Sequence, residues 1–158
     1  MIYSASEVQA VLDELSQAAD QVRLAAMKMG KAEAELTMFK AADLADAKRD
    51  AQVAENSATM DAYAGGVLSG KNQAERDTQL AAFLAQDEDV QAAARLLRRA
   101  EVTASNLEAE VTRCTGDYKA ATYRVHAAKA RAELMRAMLD AGREPEGEGQ
   151  GAFEKYGF

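Results

Sequence analysis

The sequence predicts an all-α protein: a long antiparallel helical hairpin, or coiled coil, with a short connector helix and a disordered C-terminal tail. Two observations favour this fold. The 158 residues include one Pro, no Trp and abundant Ala, Leu, Glu, Lys and Arg, and these abundant residues lose little conformational freedom in a helix. Apolar residues also recur at alternating steps of three and four along two long segments, which is the pattern of a coiled-coil seam.

The first long helix is predicted over residues 5–63. Ser4 and Glu7 have capping-box spacing, in which each residue satisfies a free backbone N–H at the start of a helix. The repeat would continue to Asp43 and Asp46, but the apolar line resumes one residue later, and we expect this slip to mark a bend or a change of partner. The seam comprises Val8, Val11, Leu15, Ala18, Val22, Ala25, Met29, Ala32, Leu36 and Phe39, then Leu44, Ala47, Ala51, Ala54 and Ala58.

A connector is predicted over residues 64–88, because three glycines within residues 65–70 weaken any helix there. A short helix should follow over about residues 73–85, since Asn72 and Glu75 repeat the capping-box spacing. Acidic residues after it suit the partial positive charge at the start of the next helix.

The second long helix is predicted over residues 88–141. Its length matches that of the first, so the two should lie antiparallel, with residue numbers that sum to about 152. This register would place Leu15 beside Met135 or Leu139. The seam comprises Ala93, Leu97, Ala100, Ala104, Leu107, Val111, Cys114, Tyr118, Ala121, Val125, Ala128, Ala132, Met135 and Leu139.

Residues 1–141 therefore form one predicted domain, and residues 142–158 form a flexible acidic tail whose glycines and glutamates keep it solvated. Phe153, Tyr156 and Phe158 supply aromatic anchors near the C-terminus. A terminal Phe beside its own carboxylate suits an apolar pocket with a basic rim, so the tail is expected to act as a peptide ligand. The alternatives are a tail that packs back on the hairpin and a tail without function.

We predict that the protein is not an enzyme, with no catalytic residue, metal ligand, cofactor-binding residue or cofactor. Residues 65–71 match the first seven positions of a P-loop, but a helix precedes them, and Asn72 stands where a P-loop has the Ser or Thr that binds magnesium. His126 is the single histidine, which leaves the common catalytic and zinc arrangements incomplete. Cys114 lies in the seam, where it should pack as a small apolar residue.

The formal charge of −7 is unevenly distributed. Residues 1–64 hold 6 basic and 11 acidic residues, a net −5, whereas residues 90–143 hold 10 and 6, a net +4. An acidic helix paired with a basic one explains this, and so does a basic face that binds a partner or nucleic acid, with Tyr118 or Tyr123 stacking on a base. The candidate contact residues are Arg95, Arg98, Arg99, Lys119, Arg124, Lys129, Arg131 and Arg136.

The single cysteine and the absence of an apolar leader favour a cytoplasmic location, and no apolar run reaches the roughly 18 residues of a membrane span. Self-association, most simply as a dimer, is expected because a two-helix seam leaves over a second apolar edge. That edge includes Leu24, Met38, Leu96 and Val102.

The connector and the following helix, from about residue 66 to 140, resemble short coiled-coil proteins of tailed phages and prophages. The residues that carry the resemblance are those of 66–76, then Leu80, Leu84, Asp87 and Val90. Such proteins are commonly encoded near single-strand annealing recombinases and single-strand DNA-binding proteins. The resemblance implies a phage-encoded protein in the host cytoplasm, and it assigns no functional residue.

These observations predict a non-catalytic coiled-coil interaction or adaptor protein that binds a protein partner of host or phage DNA metabolism. The alternative is a nucleic-acid-binding accessory protein that uses the basic face of the second long helix.

Overall fold

The computed structural model describes residues 4–142, and within that range it contains helices and no strand, as the all-α prediction requires. The helices predicted to end near residues 63, 85 and 141 end at Ala64, Leu84 and Gly142 in the structure. In chain order the elements are α1 (Ala5–Phe39), a π-helical turn (Lys40–Leu44), α2 (Ala45–Ala64), α3 (Gln73–Leu84) and α4 (Glu88–Gly142).

Helices α1 and α3 begin at the capping residues that the sequence indicates. The Ser4 amide donates to Glu7 Oε2 at 2.7 Å, and the Glu7 amide donates to Ser4 Oγ at 3.3 Å. At α3, the Glu75 amide donates to Asn72 Oδ1 at 2.9 Å. Each contact satisfies a backbone donor that the first helical turn leaves unpaired, so both predicted caps are confirmed.

The connector ends α2 and starts α4 through local backbone chemistry. The Val67 amide donates to the Ala62 carbonyl oxygen at 3.1 Å, and Gly66 adopts a φ of +67°. This left-handed conformation at a helix end favours glycine, because a Cβ would be strained there. The Val90 amide donates to Asp87 Oδ1 at 3.0 Å, so Asp87 caps α4.

The π-helical turn at Lys40–Leu44 coincides with the slip in the apolar repeat. A π turn adds one residue to a helical turn, and the repeat is also late by one residue. Leu44 and Ala47 are consequently half-buried, whereas Asp43 and Asp46 are exposed. The extra residue keeps the apolar line on one face of the helix.

The described residues divide into two compact units, residues 4–27 with 116–142 and residues 28–115. Each has a thin core made mainly of alanine. The buried apolar residues of the first unit are Val11, Ala18, Ala25, Ala121, Ala128 and Met135, and those of the second are Ala32, Ala58, Ala62, Ala104 and Cys114. All except Ala62 belong to the predicted seams. In the second unit, α3 contacts α2, and Ala62 near the end of α2 is completely buried.

Candidate interaction surfaces

Two of the predicted basic residues contact α1 in the first unit. Arg131 Nη1 donates to Glu14 Oε2 at 2.6 Å, and Arg124 Nη1 donates to Gln21 Oε1 at 3.3 Å. Both pairs lie beside the buried seam, where charged side chains of neighbouring helices commonly meet. Both arginines join α4 to α1, and the Arg131–Glu14 pair supports the explanation that acidic and basic helices pair.

The other predicted basic residues form no hydrogen bond or ion pair with α1 among residues 4–142. Arg136 Nε lies 3.8 Å from Asp140 Oδ2 on α4 itself. The remaining five side chains are exposed and form no hydrogen bond or ion pair within the described part of the chain. We call them the unpaired cations of α4: Arg95, Arg98, Arg99, Lys119 and Lys129.

Three of these cations form a cluster at one position on α4. Arg95 is three and four residues from Arg98 and Arg99, a spacing that places side chains on one side of a helix. Like charges at this spacing destabilise a helix slightly. An anionic partner would relieve that repulsion, so the cluster is suited to bind one.

Aromatic residues of α4 differ in exposure. Tyr118 is half-buried in the seam, as its position indicates, whereas Tyr123 is 75% exposed. Lys119 and Tyr123 are four residues apart and therefore lie on the same side of α4. His126 is exposed on the surface of the same helix.

An apolar concavity of about 650 Å³ lies between the start of α1 and the end of α4 in the first unit. We call it the terminal groove, and its apolar lining consists of Val8, Val11, Leu12, Met135, Met138 and Leu139. Leu12 is 51% exposed and Met138 43%. Gly142, the last described residue, also lines the groove, as do the charged residues Glu133, Arg136 and Asp140. Its volume falls within the usual range of ligand pockets, roughly 300–1,000 Å³.

The sequence analysis missed this groove, although a signal was present. Leu12 follows the seam residue Val11, and Met138 precedes the seam residue Leu139. Large apolar residues that flank a seam near the outer ends of both helices widen the apolar surface there. The groove forms because the start of α1 lies beside the end of α4, and the apolar pattern of each helix does not show which helix ends are neighbours.

The expected second apolar edge is exposed but not continuous in the second unit. Leu96 is 58% exposed and Val102 56%. At 3.6 residues per turn, their positions lie roughly 120° apart around α4, so they do not share a face. Leu24, at 54%, and Met38, at 72%, are exposed as well. Self-association stays a prediction.

In the P-loop-like segment, residues 65–71, the backbone amides of Gly70 and Lys71 are not available to a phosphate. The Gly70 amide donates to Gln79 Oε1 at 3.1 Å, and the Lys71 amide donates to Glu75 Oε2 at 2.7 Å. A P-loop binds phosphate through such amides, whereas side chains of α3 occupy them here. The segment acts as a connector between helices.

Cys114 is buried at 4% exposure in the second unit, and its Sγ lies 3.6 Å from Glu110 Oε1. The Glu110 carboxylate accepts hydrogen bonds from Arg113, which lower the pKa of Glu110 below its ordinary value. Among residues 4–142, no group of three or more His, Cys, Asp or Glu side chains is placed to hold a metal ion.

No helix in the described range is both long and apolar enough to cross a membrane. The predicted tail anchors Phe153, Tyr156 and Phe158, together with the predicted disorder of the tail, lie outside the described residues.

The described part of the chain is thus an all-α protein with an apolar groove and a set of unpaired cations. Comparisons with protein-family models, curated proteins and solved structures find no match.

Proposed function

We propose that the chain is a non-catalytic coiled-coil interaction protein, an adaptor that binds a protein partner of host or phage DNA metabolism. The observation that carries this proposal is the set of five unpaired cations of α4. Side chains without a partner among residues 4–142 are available to an acidic segment of another protein. The cluster of Arg95, Arg98 and Arg99 is the proposed centre of that contact.

We infer that α1 and α4 form an antiparallel coiled-coil hairpin, and contacts in both units support this. In the first unit, Glu14 contacts Arg131 and Gln21 contacts Arg124. In the second unit, Lys40 Nζ lies 2.5 Å from Glu108 Oε1. As the residue number rises on one helix, it falls on the other. The buried seam residues support the same arrangement, because Val11 and Met135, Ala18 and Ala128, and Ala25 and Ala121 all have numbers that sum to 146.

This register is about six residues short of the sum of 152 expected from the sequence. Glu14 contacts Arg131 rather than a residue nearer the end of α4. The sum of 152 follows from a chain that reverses at the middle of the predicted connector, residues 64–88.

The phage origin, the host-cytoplasm location and the link to DNA metabolism rest on the resemblance in the connector and the following helix. The predicted tail, with Phe153, Tyr156 and Phe158 as its anchors, is the proposed second contact with the partner. A homodimer is proposed as well, since Leu24 and Met38 leave apolar surface exposed.

Binding to nucleic acid is the second candidate, and one observation favours it. Tyr123 is 75% exposed on the same side of α4 as Lys119, so a base could stack on the ring while a phosphate contacts the lysine. The sparse cations favour a protein partner, because those outside the arginine cluster do not form a continuous track for phosphates.

Affinity capture tests the leading function. Nuclease-treated bacterial lysate would be passed over the full chain and over its Arg95→Ala/Arg98→Ala/Arg99→Ala variant, with captured proteins identified by mass spectrometry. The control is Arg23→Ala/Arg49→Ala, because these exposed arginines already pair with Asp20 and Asp46. We expect a DNA-metabolism protein to be captured by the wild type and the control and lost from the triple variant. Equal capture by all three would refute the assigned surface.

Titration with single-stranded and double-stranded DNA tests the second candidate. Measurements at about 50 and about 200 mM salt separate phosphate contacts from other binding, because such contacts weaken as salt rises. Salt-sensitive binding that Tyr123→Ala and Lys119→Ala both reduce would favour the nucleic-acid function.

A further inference from the structure

We propose that the terminal groove is the docking site of the C-terminal aromatic segment of this same chain, residues 153–158. The inference goes beyond the proposed function: the aromatic residues proposed there to contact a partner occupy this groove when that partner is absent. It assigns an occupant to a surface that the described residues leave open.

The groove has the size and chemistry that aromatic side chains require. Its volume of about 650 Å³ is that of a typical ligand pocket. Each aromatic side chain that enters it would bury roughly 150–250 Å² of its own surface. Met135 and Met138 are both in its lining, and methionine sulfur contacts aromatic rings favourably. Leu12 is about half exposed at this place, so an occupant would cover apolar surface that otherwise faces water.

The tether has the length to place the segment there. Gly142 lines the groove, and ten residues, 143–152, separate it from Phe153. Ten residues reach at most roughly 33–36 Å when fully extended. The stretch of α4 from Ala132 to Gly142 that lines the groove is about 15 Å long. A tether that matches its span raises the local concentration of the segment to roughly millimolar.

The segment is also the best match among the candidate occupants. Phe153, Tyr156 and Phe158 concentrate three aromatic rings within six residues, whereas a second copy of the described region would offer scattered apolar residues such as Leu24.

Methyl NMR of the full chain with labelled methionine tests the proposal. Ring currents from the docked aromatics should shift the Met135 and Met138 methyl signals. In the full-length Phe153→Ala/Tyr156→Ala/Phe158→Ala variant, these two signals should move, whereas those of Met27, Met38 and Met60, which do not line the groove, should stay in place. Adding a synthetic peptide of residues 150–158 to this variant should restore the wild-type signals.

A matched pair of leucine variants locates the contact. Leu12→Glu places a charge in the groove and should reproduce the effect of the triple variant on Met135 and Met138. Leu24→Glu changes a residue of similar exposure on the same helix, outside the groove, and should have no effect. Unchanged Met135 and Met138 signals in the triple variant would overturn the proposal. A shift that grows with protein concentration would identify a second copy as the occupant and overturn it as well.

Discussion

Arg131 Nη1 lies 2.6 Å from Glu14 Oε2 and joins α4 to α1 beside the buried seam. The side chains of this pair are 62% and 47% exposed, so solvent screens their attraction. We predict a coupling free energy of about 0.2–1 kcal/mol in a double-mutant cycle of Glu14→Gln and Arg131→Gln, measured by urea unfolding. The coupling should shrink as salt rises. Independent effects of the two substitutions at low salt would show that the pair does not stabilise the fold.

Deletion of one residue from the π-helical turn should restore a regular helix. Phe39 and Leu44 are five residues apart in the apolar line, and removing the exposed Ala42 makes the spacing four, as an uninterrupted repeat requires. We expect the deleted protein to keep its helicity and to have an equal or higher Tm. Deleting the exposed Ala19 inside α1 should lower the Tm markedly, because it moves the following seam residues off the buried face. Similar losses from both deletions would contradict this explanation of the π turn.

Replacing Gly30 or Gly70 with alanine should change the free energy of unfolding in opposite directions. A Cβ at Gly30, inside α1, would meet nothing within 4 Å, so Gly30→Ala should raise the free energy of unfolding by about 0.5–1 kcal/mol. At Gly70 a Cβ would lie 2.7 Å from Glu75 Cβ and 2.9 Å from the Arg76 amide nitrogen, so Gly70→Ala should destabilise the connector. Urea unfolding of both variants measures this, and a stabilised Gly70→Ala protein would contradict the connector geometry.

The seam should tolerate little added volume where alanines are buried. Ala128 is 2% exposed in the first unit, whereas Ala130 on the same helix is exposed. Ala128→Leu should lower the free energy of unfolding by about 1–3 kcal/mol, because overpacking forces neighbouring side chains and backbones apart. Ala130→Leu should change it by less than about 0.5 kcal/mol. Equal effects of the two leucines, measured by thermal unfolding, would exclude a tight seam at Ala128.

The cap of α1 predicts a specific pH dependence. The Ser4 backbone N–H and then its hydroxyl bond to the Glu7 carboxylate and lower the pKa of Glu7. Because the folded pKa is the lower one, the stabilisation is complete above the ordinary pKa of the carboxyl group and is lost as pH falls through the folded pKa. Amide protection in the first turn of α1 should therefore decrease over that acidic range.

Carboxyl NMR titration with Ser4→Ala tests the assigned cause. Removing the hydroxyl should raise the pKa of Glu7 towards its ordinary value. The pKa of Glu110 serves as the control, because Arg113 lowers it instead. A Glu7 pKa that does not respond to Ser4→Ala would show that the hydroxyl contributes nothing to the cap.

Sequence reasoning identified the basic residues of α4 but could not divide them by role. Arg124 and Arg131 contact α1, whereas Arg95 and Lys119 do not. The division depends on which side chains of another helix lie within a few ångströms, and the periodicity of a single helix does not contain that information. The predicted tail anchors lie outside the described residues.

Local chemistry alone determined the helices, their caps and the apolar face that α1, α2 and α4 bury. A capping side chain acts over three residues and the apolar repeat over seven, so both are visible along the chain. The sequence also indicated that the apolar repeat shifts by one residue at Asp43. The structure shows that the extra residue forms a π-helical turn there. Only the tertiary structure decided which residues of α1 and α4 meet and formed the terminal groove. Both depend on contacts between side chains far apart in the sequence, such as Glu14 and Arg131, and the local patterns along one helix do not specify such contacts.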